Sequence, residues 1–481
     1  MVNIRPMLVP LVLLVAGLVS TPAWAQSDAT IGRALPEAIG FLRDLVRINT
    51  TNPPGNEEAA AAYIQQALNR EHIPSQIVTS APGRANIVAR VKGAGRARPI
   101  ILMAHMDVVG VERDKWSFDP FAAEVRDGYL LGRGAADDKA MLAANLELVL
   151  LLTRAGIKLD RDIIFIGAAG EEGTPEFGIN YLLEHSPTEL DAEFALNEGG
   201  DAPLPETQEV PLYVAIANAE KTPSPLKLIA TGTPGHGAFP SGNNAIAHLA
   251  LAISRISQWQ APIRLNTTTR EFFAEIAALN LGQDSDFART ITSPETQSRL
   301  QGASPRYWAM SRTTISPTML NSGYRTNAVP AEATATLDVR LLPDEDSDAF
   351  LGELRRIIDD PTIRLERATP ARPVSPISAS NTKMFCALVS GYQSVFPGVA
   401  VLPQMVPGAT DCAQLRVHGT QCYGVAIPMT AADRAREHGV DERISIEGIS
   451  QYLRAIYNAI LAVAAAHSGA PAATSENASH D

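Results

Sequence analysis

Apolar runs alternate with amphipathic stretches from about Leu35 to Asn218, and this alternation limits what the chain can fold into. The runs PIILMAH, DIIFIGAAG and AEFALNEGG are predicted to be buried strands. Between them, KAMLAANLELVLLLTRAG has the length and spacing of a strong helix. An alternation of this kind indicates an α/β sheet with helices on both of its faces.

A different pattern begins near Lys221. The segments PLKLIATG, TTISPTMLNSG, AEATATLDVRLLP and TIRLERA are predicted to be strands, and two helices complete a β-α-β-β-α-β order. A polar stretch at about residues 267–306 is expected to be a helical insertion. After the linker TPARPVSPISAS the α/β character returns, so the second domain is predicted to be inserted into the first.

The N-terminus has the features of an export signal. Arg5 precedes the apolar run MLVPLVLLVAGLV, and the small-x-small pattern Ala23-Trp24-Ala25 follows it. This order predicts a secretory signal peptide, cleaved after Ala25, and a periplasmic protein. The alternative, a membrane anchor, is disfavoured because the apolar run is short for spanning a bilayer, and no other segment is apolar enough to span one.

The net charge and the cysteine content limit which partners the protein can bind and which cysteine sites it can contain. The formal net charge of -12 argues against nucleic acid and against anionic membrane surfaces as partners. Cys412 and Cys422 are candidates for a disulfide, whereas Cys386 is predicted to be a buried thiol on a helix. Three cysteines at these spacings indicate neither a disulfide framework nor a zinc site.

Acidic and imidazole side chains follow the predicted strands, at the edge of the sheet where α/β proteins bind ligands. They are His105, Asp107, Asp137, Asp138, Glu171, Glu172 and Glu198. Adjacent carboxylates repel one another when both are ionised, and divalent cations relieve that repulsion. A histidine and carboxylate set suits zinc, and two zinc ions need a bridging carboxylate. For a second histidine, His438 and His418 compete.

Each of these features also has an ordinary structural explanation. A glutamate pair is common at a helix start, GRGAADDK is compatible with a turn into a helix cap, and a single histidine is usually a satisfied polar group. It is their joint occurrence at successive strand ends that favours a metal site.

Eight motifs then occur in one order along nearly all of the predicted mature chain. They are LMAHMDVV, WSFDPF with DGYLLGRGAADDK, GEEGTPEFG, NEGG, GHGAFP, TNAVP, GATDC and HGVDERI. This set resembles the dizinc exopeptidase family of glutamate carboxypeptidase, aminoacylase, carnosinase and succinyl-diaminopimelate desuccinylase. GHGAFP and the insertion before TTISPTMLNSG look most like the carboxypeptidase S branch.

The resemblance implies a three-layer α/β zinc-exopeptidase catalytic domain with an inserted α+β lid and dimerisation domain. The predicted division is a signal peptide at 1–25, catalytic parts at 26–220 and 369–466, the inserted domain at 221–368, and a disordered tail at 467–481.

Carried over position by position, the resemblance implies two Zn²⁺ ions per chain, for which Co²⁺ or Mn²⁺ substitutes. His105 and Glu198 would hold one ion, and Glu172 and His438 the other. Asp137 would bridge them, because the family pattern Asp-x-Lys is completed by the lysine two positions later.

The resemblance also implies catalytic and substrate-binding roles. Asp107 would orient the His105 imidazole, Glu171 would be the general base, and the peptide bond after Asp137 would be cis. On the substrate side, His236 would stabilise the oxyanion, often across a dimer. Asn327 and Arg340 would bind the substrate carboxylate. The backbone of the loop of Gly408, Ala409 and Thr410 would contact the same carboxylate.

The leading hypothesis is therefore zinc-dependent hydrolysis of an amide bond next to a free carboxylate. The substrate would be a short peptide or an N-acyl amino acid, and the sequence leaves that choice open. A periplasmic binding protein on an inactive peptidase scaffold is a second hypothesis, which the intact Glu171 disfavours. A carboxylate-bridged iron protein is a third, and the helical Glu-x-x-His pairs that it needs are missing.

Overall fold

The computed structural model describes residues 23–369 and 372–466. Most of the predicted signal peptide and the whole predicted tail lie outside these residues. The α-helices of the described chain are α1 Ala23–Arg47, α2 Glu57–Arg70, α3 Lys139–Arg154, α4 Ile179–His185, α5 Ala245–Gln258, α6 Thr267–Ala278, α7 Gln283–Arg289, α8 Pro294–Ala303, α9 Pro305–Met310, α10 Ser347–Ile358, α11 Lys383–Val395, α12 Cys412–Val417, α13 Ala431–Arg434 and α14 Ile446–Ala464.

The strands are β1 Ser75–Ala81, β2 Arg84–Val91, β3 Ile100–His105, β4 Glu124–Arg126, β5 Tyr129–Leu131, β6 Ile163–Ala168, β7 Phe194–Asn197, β8 Pro203–Leu204, β9 Val214–Glu220, β10 Thr222–Pro223, β11 Leu226–Thr231, β12 Gly235–His236, β13 Thr314–Ser322, β14 Ala328–Val329, β15 Glu332–Leu341, β16 Ile363–Arg367, β17 Val401–Val406, β18 Gln421–Gly424, β19 Met429–Thr430 and β20 Arg443–Ser445.

An eight-stranded mixed sheet forms the centre of the molecule, in the order β1-β2-β6-β3-β7-β18-β9-β17. The neighbours β6, β3, β7 and β18 are parallel. Their carboxyl ends therefore meet at one edge of the sheet, with His105 of β3 opposite Ala168 of β6. Strands β1 and β2 form an antiparallel hairpin that extends the sheet on one side.

Both faces of this sheet are covered by helices, as the strand–helix alternation predicts. In β3, Ile100 and Leu102 contact the core beneath α1, α2, α3, α11 and α14. Ile101 and Met103 point to the opposite core, beneath α4 and α12. Because successive strand residues face opposite sides, a run that is apolar at every position requires cover on both faces. The predicted three-layer α/β fold is confirmed.

A second sheet is built from the middle of the chain. Strands β10, β15, β11 and β16 are hydrogen-bonded in that order, and β13 pairs with β15 as an edge strand. Helices α5 and α10 bury apolar side chains against it, including Leu249 and Leu354. The β-α-β-β-α-β order predicted from the sequence is present, while the exact domain limits stay predictions.

The stretch expected to be a helical insertion forms four short helices, α6 to α9. Phe272, Phe273 and Tyr307 from these helices pack with Leu402 and Met405 of β17 in a separate core. The insertion is part of the polypeptide of the second domain, yet it lies against the edge of the central sheet.

Cysteine placement differs in one respect from the prediction. Cys412 and Cys422 form a disulfide that joins the start of α12 to β18. Cys386 lies on α11, as predicted, but it is exposed, so the prediction of a buried thiol is wrong. The buried face of this helix carries Met384 and Leu388, and Cys386 falls between them on the solvent side. Among the described residues, no helix is both long and apolar enough to cross a membrane.

Candidate metal centre

Acidic and imidazole groups from distant parts of the chain meet at the carboxyl edge of the central sheet. One group consists of His105, Asp137 and Glu198, whose ligand atoms all lie within 4.8 Å of one another. A second group, equally close, consists of Asp137, Glu172 and His438. Asp137 belongs to both, so the structure brings together all five of the predicted metal ligands.

The two oxygens of Asp137 face different histidines. Oδ1 lies 3.0 Å from Nε2 of His105, and Oδ2 lies 2.9 Å from Nε2 of His438. The same nitrogen of His438 is 3.0 Å from Oε1 of Glu172, and that of His105 is 4.0 Å from Oε1 of Glu198. One carboxylate shared between two histidine and carboxylate pairs is the donor arrangement that two bridged cations need.

His418, the competing histidine, lies elsewhere. It follows α12, and its Nδ1 is 2.9 Å from the carbonyl oxygen of Gln414. It belongs to neither cluster of the described chain.

Electrostatics of the cluster also suit cations. Hydrogen bonds with Asp137 and Glu172 raise the pKa of His438 to about 10. Burial opposes the charge on His105, but Asp107 and Asp137 outweigh it and place the pKa of His105 well above its usual range. Burial raises the pKa of Glu198 well above the ordinary value, and nearby carboxylates add to this effect. These shifts arise because acidic groups crowd together in a buried setting, and a divalent cation would relieve that crowding.

The chemistry of the ligand atoms indicates which metal ion the two groups would bind. Each group offers one imidazole nitrogen and carboxylate oxygens, with no sulfur ligand. Such borderline donors suit Zn²⁺ and similar transition metals better than Ca²⁺ or Mg²⁺. The residues present therefore fit a dinuclear metal site.

Asp107 lies directly behind His105 and is fully buried. Nδ1 of His105 is 3.0 Å from the carbonyl oxygen of Asp107 and 3.6 Å from its carboxylate. The carboxylate instead accepts hydrogen bonds from Asn52 and from the backbone N–H groups of Glu171 and Glu172. Asp107 thus ties β3 to the turn that carries both glutamates.

Glu442 holds the Asp137 loop and was not identified from the sequence. Its carboxylate accepts hydrogen bonds from the backbone N–H groups of Gly134, Ala136 and Asp137. It also pairs with buried Arg133 at 2.5 Å. Glu442 lies four residues after His438 in the HGVDERI motif, so it links two metal-ligand segments. The peptide bond after Asp137 is cis, as the resemblance implies.

Glu171 sits beside the metal cluster with its carboxylate almost buried. Burial raises the pKa of Glu171 to about 8, and the guanidinium of Arg372 opposes this rise. Nη2 of Arg372 lies 2.6 Å from Oε1 of Glu171. Arg372 is a second residue that sequence reasoning missed, and the linker in which it occurs carries no recognisable periodicity.

A cavity of about 1090 Å³, which includes the solvent at its mouth, opens on this side of the cluster. Its lining includes Glu171, Glu172, His438, Arg340, Arg372 and Gly408. Arg340 donates to Asp338 at 2.7 Å. Thr410 does not line this cavity but the second one, described next, and its hydroxyl donates to Glu220.

A second cavity, of about 1010 Å³, lies on the other side of the cluster. Asp137 and Glu198 form part of its wall, and it also has apolar lining from Met141, Val425, Ile427 and Met429. Arg306 from the helical insertion reaches this cavity and forms an ion pair with Asp201. Gly408 and Ala409 line both cavities, so the metal cluster lies between two compartments.

His236 and Asn327 lie apart from the cluster. Both are exposed on the inserted domain, where His236 belongs to the β12–β14 ribbon. Asn327 accepts a backbone hydrogen bond from Gly237. Neither residue lines either of the two cavities beside the metal cluster.

Comparisons with known proteins agree with this architecture. The sequence matches Peptidase family M20/M25/M40 over residues 101–462. A probable carboxypeptidase S-like 2 of Dictyostelium discoideum is 30% identical, with 76% of this chain and 71% of the relative covered. The human N-fatty-acyl-amino acid synthase/hydrolase PM20D1 is also 30% identical, with 76% and 74% covered.

Solved structures share the fold. The crystal structure of human carnosine dipeptidase 1 superposes with a TM-score of 0.67 at 15% sequence identity, covering 92% of this chain and 99% of that one. The chain belongs to Peptidase family M20/M25/M40. It is an enzyme of the metallopeptidase and amidohydrolase class, and the predicted resemblance is confirmed.

Proposed function

We propose that this enzyme uses two zinc ions to hydrolyse the amide bond next to a free carboxylate in short peptides or N-acyl amino acids. The observation that carries the proposal is Asp137, whose two oxygens face two separate histidine and carboxylate pairs beside Glu171. His105 and Glu198 would hold one ion, and Glu172 and His438 the other.

When bound, the zinc ions would supply Lewis-acid activation of the attacking water and of the scissile carbonyl. The protein supplies the proton transfer. Glu171 takes a proton from the water and passes it to the leaving amine. Arg340 lies in the cavity on the Glu171 side, and its planar guanidinium suits a substrate carboxylate. The backbone of Gly408 borders the same space.

The second cavity favours N-acyl amino acids as one substrate class. Its side chains Met141, Val425, Ile427 and Met429 offer apolar contact to an acyl group or an apolar residue. Some of the charged groups beside them are paired with one another, since Arg306 and Arg434 both form ion pairs with Asp201. The relatives include a fatty-acyl amino acid hydrolase, which is consistent with this proposal.

Hydrolysis by the purified mature protein tests the function. Wild type and E171Q are compared on a mixed panel of dipeptides and N-acyl amino acids, each with added Zn²⁺, Co²⁺ or Mn²⁺. We expect metal-dependent turnover by wild type and a loss of at least about 100-fold in kcat for E171Q. Unchanged turnover by E171Q would refute the assignment of the base, and the panel decides between the two substrate classes.

A homodimer through the inserted domain is part of the proposal. His236 and Asn327 line neither cavity, so a movement of the inserted domain or a second subunit would bring them to a substrate bound there. The edge strand β13 leaves Met319 and Leu320 exposed at 68% and 66%, which suits a contact between copies. Mixing inactive H236A with inactive E171Q tests this, because hybrid dimers regain activity only if His236 acts across subunits.

Export to the periplasm is likewise proposed, on the basis of the N-terminal signal. The Cys412–Cys422 disulfide suits an oxidising compartment. Cell fractionation with N-terminal sequencing of the mature protein tests both the location and cleavage after Ala25. Recovery of the uncleaved chain from the cytoplasm would contradict the proposal.

A further inference from the structure

Arg372 connects the inserted domain to the reaction centre. Its side chain is only 9% exposed. Nη2 lies 2.6 Å from Oε1 of Glu171 and 3.0 Å from the carbonyl oxygen of the same residue. Nη1 lies 3.2 Å from Oδ1 of Asp411. The guanidinium is therefore fixed by three acceptors, two of which belong to Glu171.

The carboxylate of Glu171 depends on this contact for its orientation. Within residues 23–369 and 372–466, Arg372 is the one group that donates a hydrogen bond to it. The bond uses Oε1 and leaves Oε2 open to the cavity that Glu171 lines. The backbone N–H of Glu171 is held separately by Asp107 at 3.1 Å. One oxygen is thus anchored and the other is free to accept a proton.

The negative charges around Glu171 make the contact with Arg372 necessary. Glu172 follows Glu171 directly, and Asp411 shares the guanidinium of Arg372. Carboxylates that approach one another in a buried setting repel, and each would turn away without a cation between them. Arg372 separates Glu171 from Asp411. An uncharged side chain at position 372 would leave Glu171 free to rotate out of the position needed for proton transfer.

The backbone of Arg372 belongs to the connection between the two sheets. Its N–H donates to the carbonyl oxygen of Pro223 at 3.4 Å, and the N–H of Ala368 donates to Pro225 at 2.8 Å. The two chain crossings between the domains are therefore hydrogen-bonded to each other. A shift of the inserted domain would therefore act on the residue whose side chain holds Glu171.

We propose that Arg372 is a positioning residue: it anchors Oε1 of Glu171 so that Oε2 faces the attacking water, and it links that orientation to the position of the inserted domain. This inference rests on the proposed function, in which Glu171 is the base. The guanidinium keeps its proton throughout. Arg372 thus acts through Glu171 and takes no part in proton transfer.

Steady-state kinetics of R372Q and R372K test the proposal. For R372Q we expect kcat to fall at least about 50-fold while KM changes less than about threefold, because the ground-state contacts of the substrate are retained. The kcat of R372K should be at least about fivefold higher than that of R372Q, since an ammonium restores the charge but not the forked geometry. R90Q is the matched control. It also replaces a largely buried arginine that is paired with an aspartate, Asp162, but this pair lies far from the metal cluster. All variants are compared for metal content and melting temperature.

A double-mutant cycle separates positioning from a general structural effect. If Arg372 acts through Glu171, adding R372Q to E171Q should lower kcat by less than about twofold further. An equal loss in both backgrounds would overturn the inference. So would a rise in KM at unchanged kcat, which would mark Arg372 as a substrate ligand. If R372Q is fully active while E171Q is inactive, only this inference is refuted. If E171Q is fully active, the proposed function is refuted.

Discussion

Asp137 is the residue on which the two metal groups depend, because each of its oxygens serves one of them. We expect D137N to weaken both sites, whereas E198Q removes a donor from only one. After dialysis against metal-free buffer, metal analysis should find about one ion per chain in E198Q and less than one in D137N. D114N, which changes an exposed carboxylate, should retain as much metal as wild type. Equal loss in E198Q and D137N would contradict a bridging role.

Glu147 illustrates a single residue whose charge opposes folding. Its side chain is fully buried on α3, and its carboxylate has no hydrogen bond, although Nη1 of Arg154 lies 3.7 Å from Oε1. Burial raises the pKa of Glu147 from 4.5 to about 8. Between these values the folded state holds a proton that the unfolded chain has released, so this residue makes stability fall as pH rises.

E147Q removes this pH-dependent effect. We expect its free energy of unfolding, relative to wild type, to rise by about 2 kcal/mol or more between about pH 4 and pH 9. Urea denaturation of both proteins across this range measures the difference. A difference that stays constant with pH would show that Glu147 remains ionised in the folded protein or is solvated there.

At the scale of the element, the disulfide joins α12 to β18 directly after the loop that borders both cavities. It closes a segment with a sequence separation of 10 residues. We expect the C412S/C422S variant to lose about 2–3 kcal/mol of unfolding free energy, chiefly because its unfolded chain gains freedom. Denaturant titration without reductant measures this loss. C386S is the control and should leave stability unchanged, because Cys386 is exposed; an equal loss there would contradict the assignment.

At the scale of the whole molecule, bound metal should stabilise the fold, because ligands from both catalytic segments meet in one acidic cluster. A ligand that binds only the folded state adds about 4 kcal/mol at a thousandfold excess over its Kd. We therefore expect removal of metal by a chelator to lower the melting temperature and added Zn²⁺ to restore it. In D137N, added zinc should shift the melting temperature far less. A chelator without effect on wild type would contradict the metal centre.

The sequence by itself determined the layers and the strand-end cluster. Periodicity is local, and carboxyl ends of parallel strands necessarily share an edge, so His105 and Glu198 could be expected to meet. The resemblance selected His438 over His418, and the structure brings these residues together, although their roles stay predictions. The β-α-β-β-α-β order of the inserted domain followed from the same local patterns.

Only the tertiary structure decided the contacts between distant segments. Arg372 meets Glu171 across a separation of 201 residues, and Glu442 meets the backbone of Asp137 across 305. Neither contact leaves a periodic signal in the chain. The exposure of Cys386 and the absence of His236 from both cavity linings have the same cause. Both depend on which face of a helix or strand packs against another element. Tertiary packing determines this, and the local sequence pattern does not.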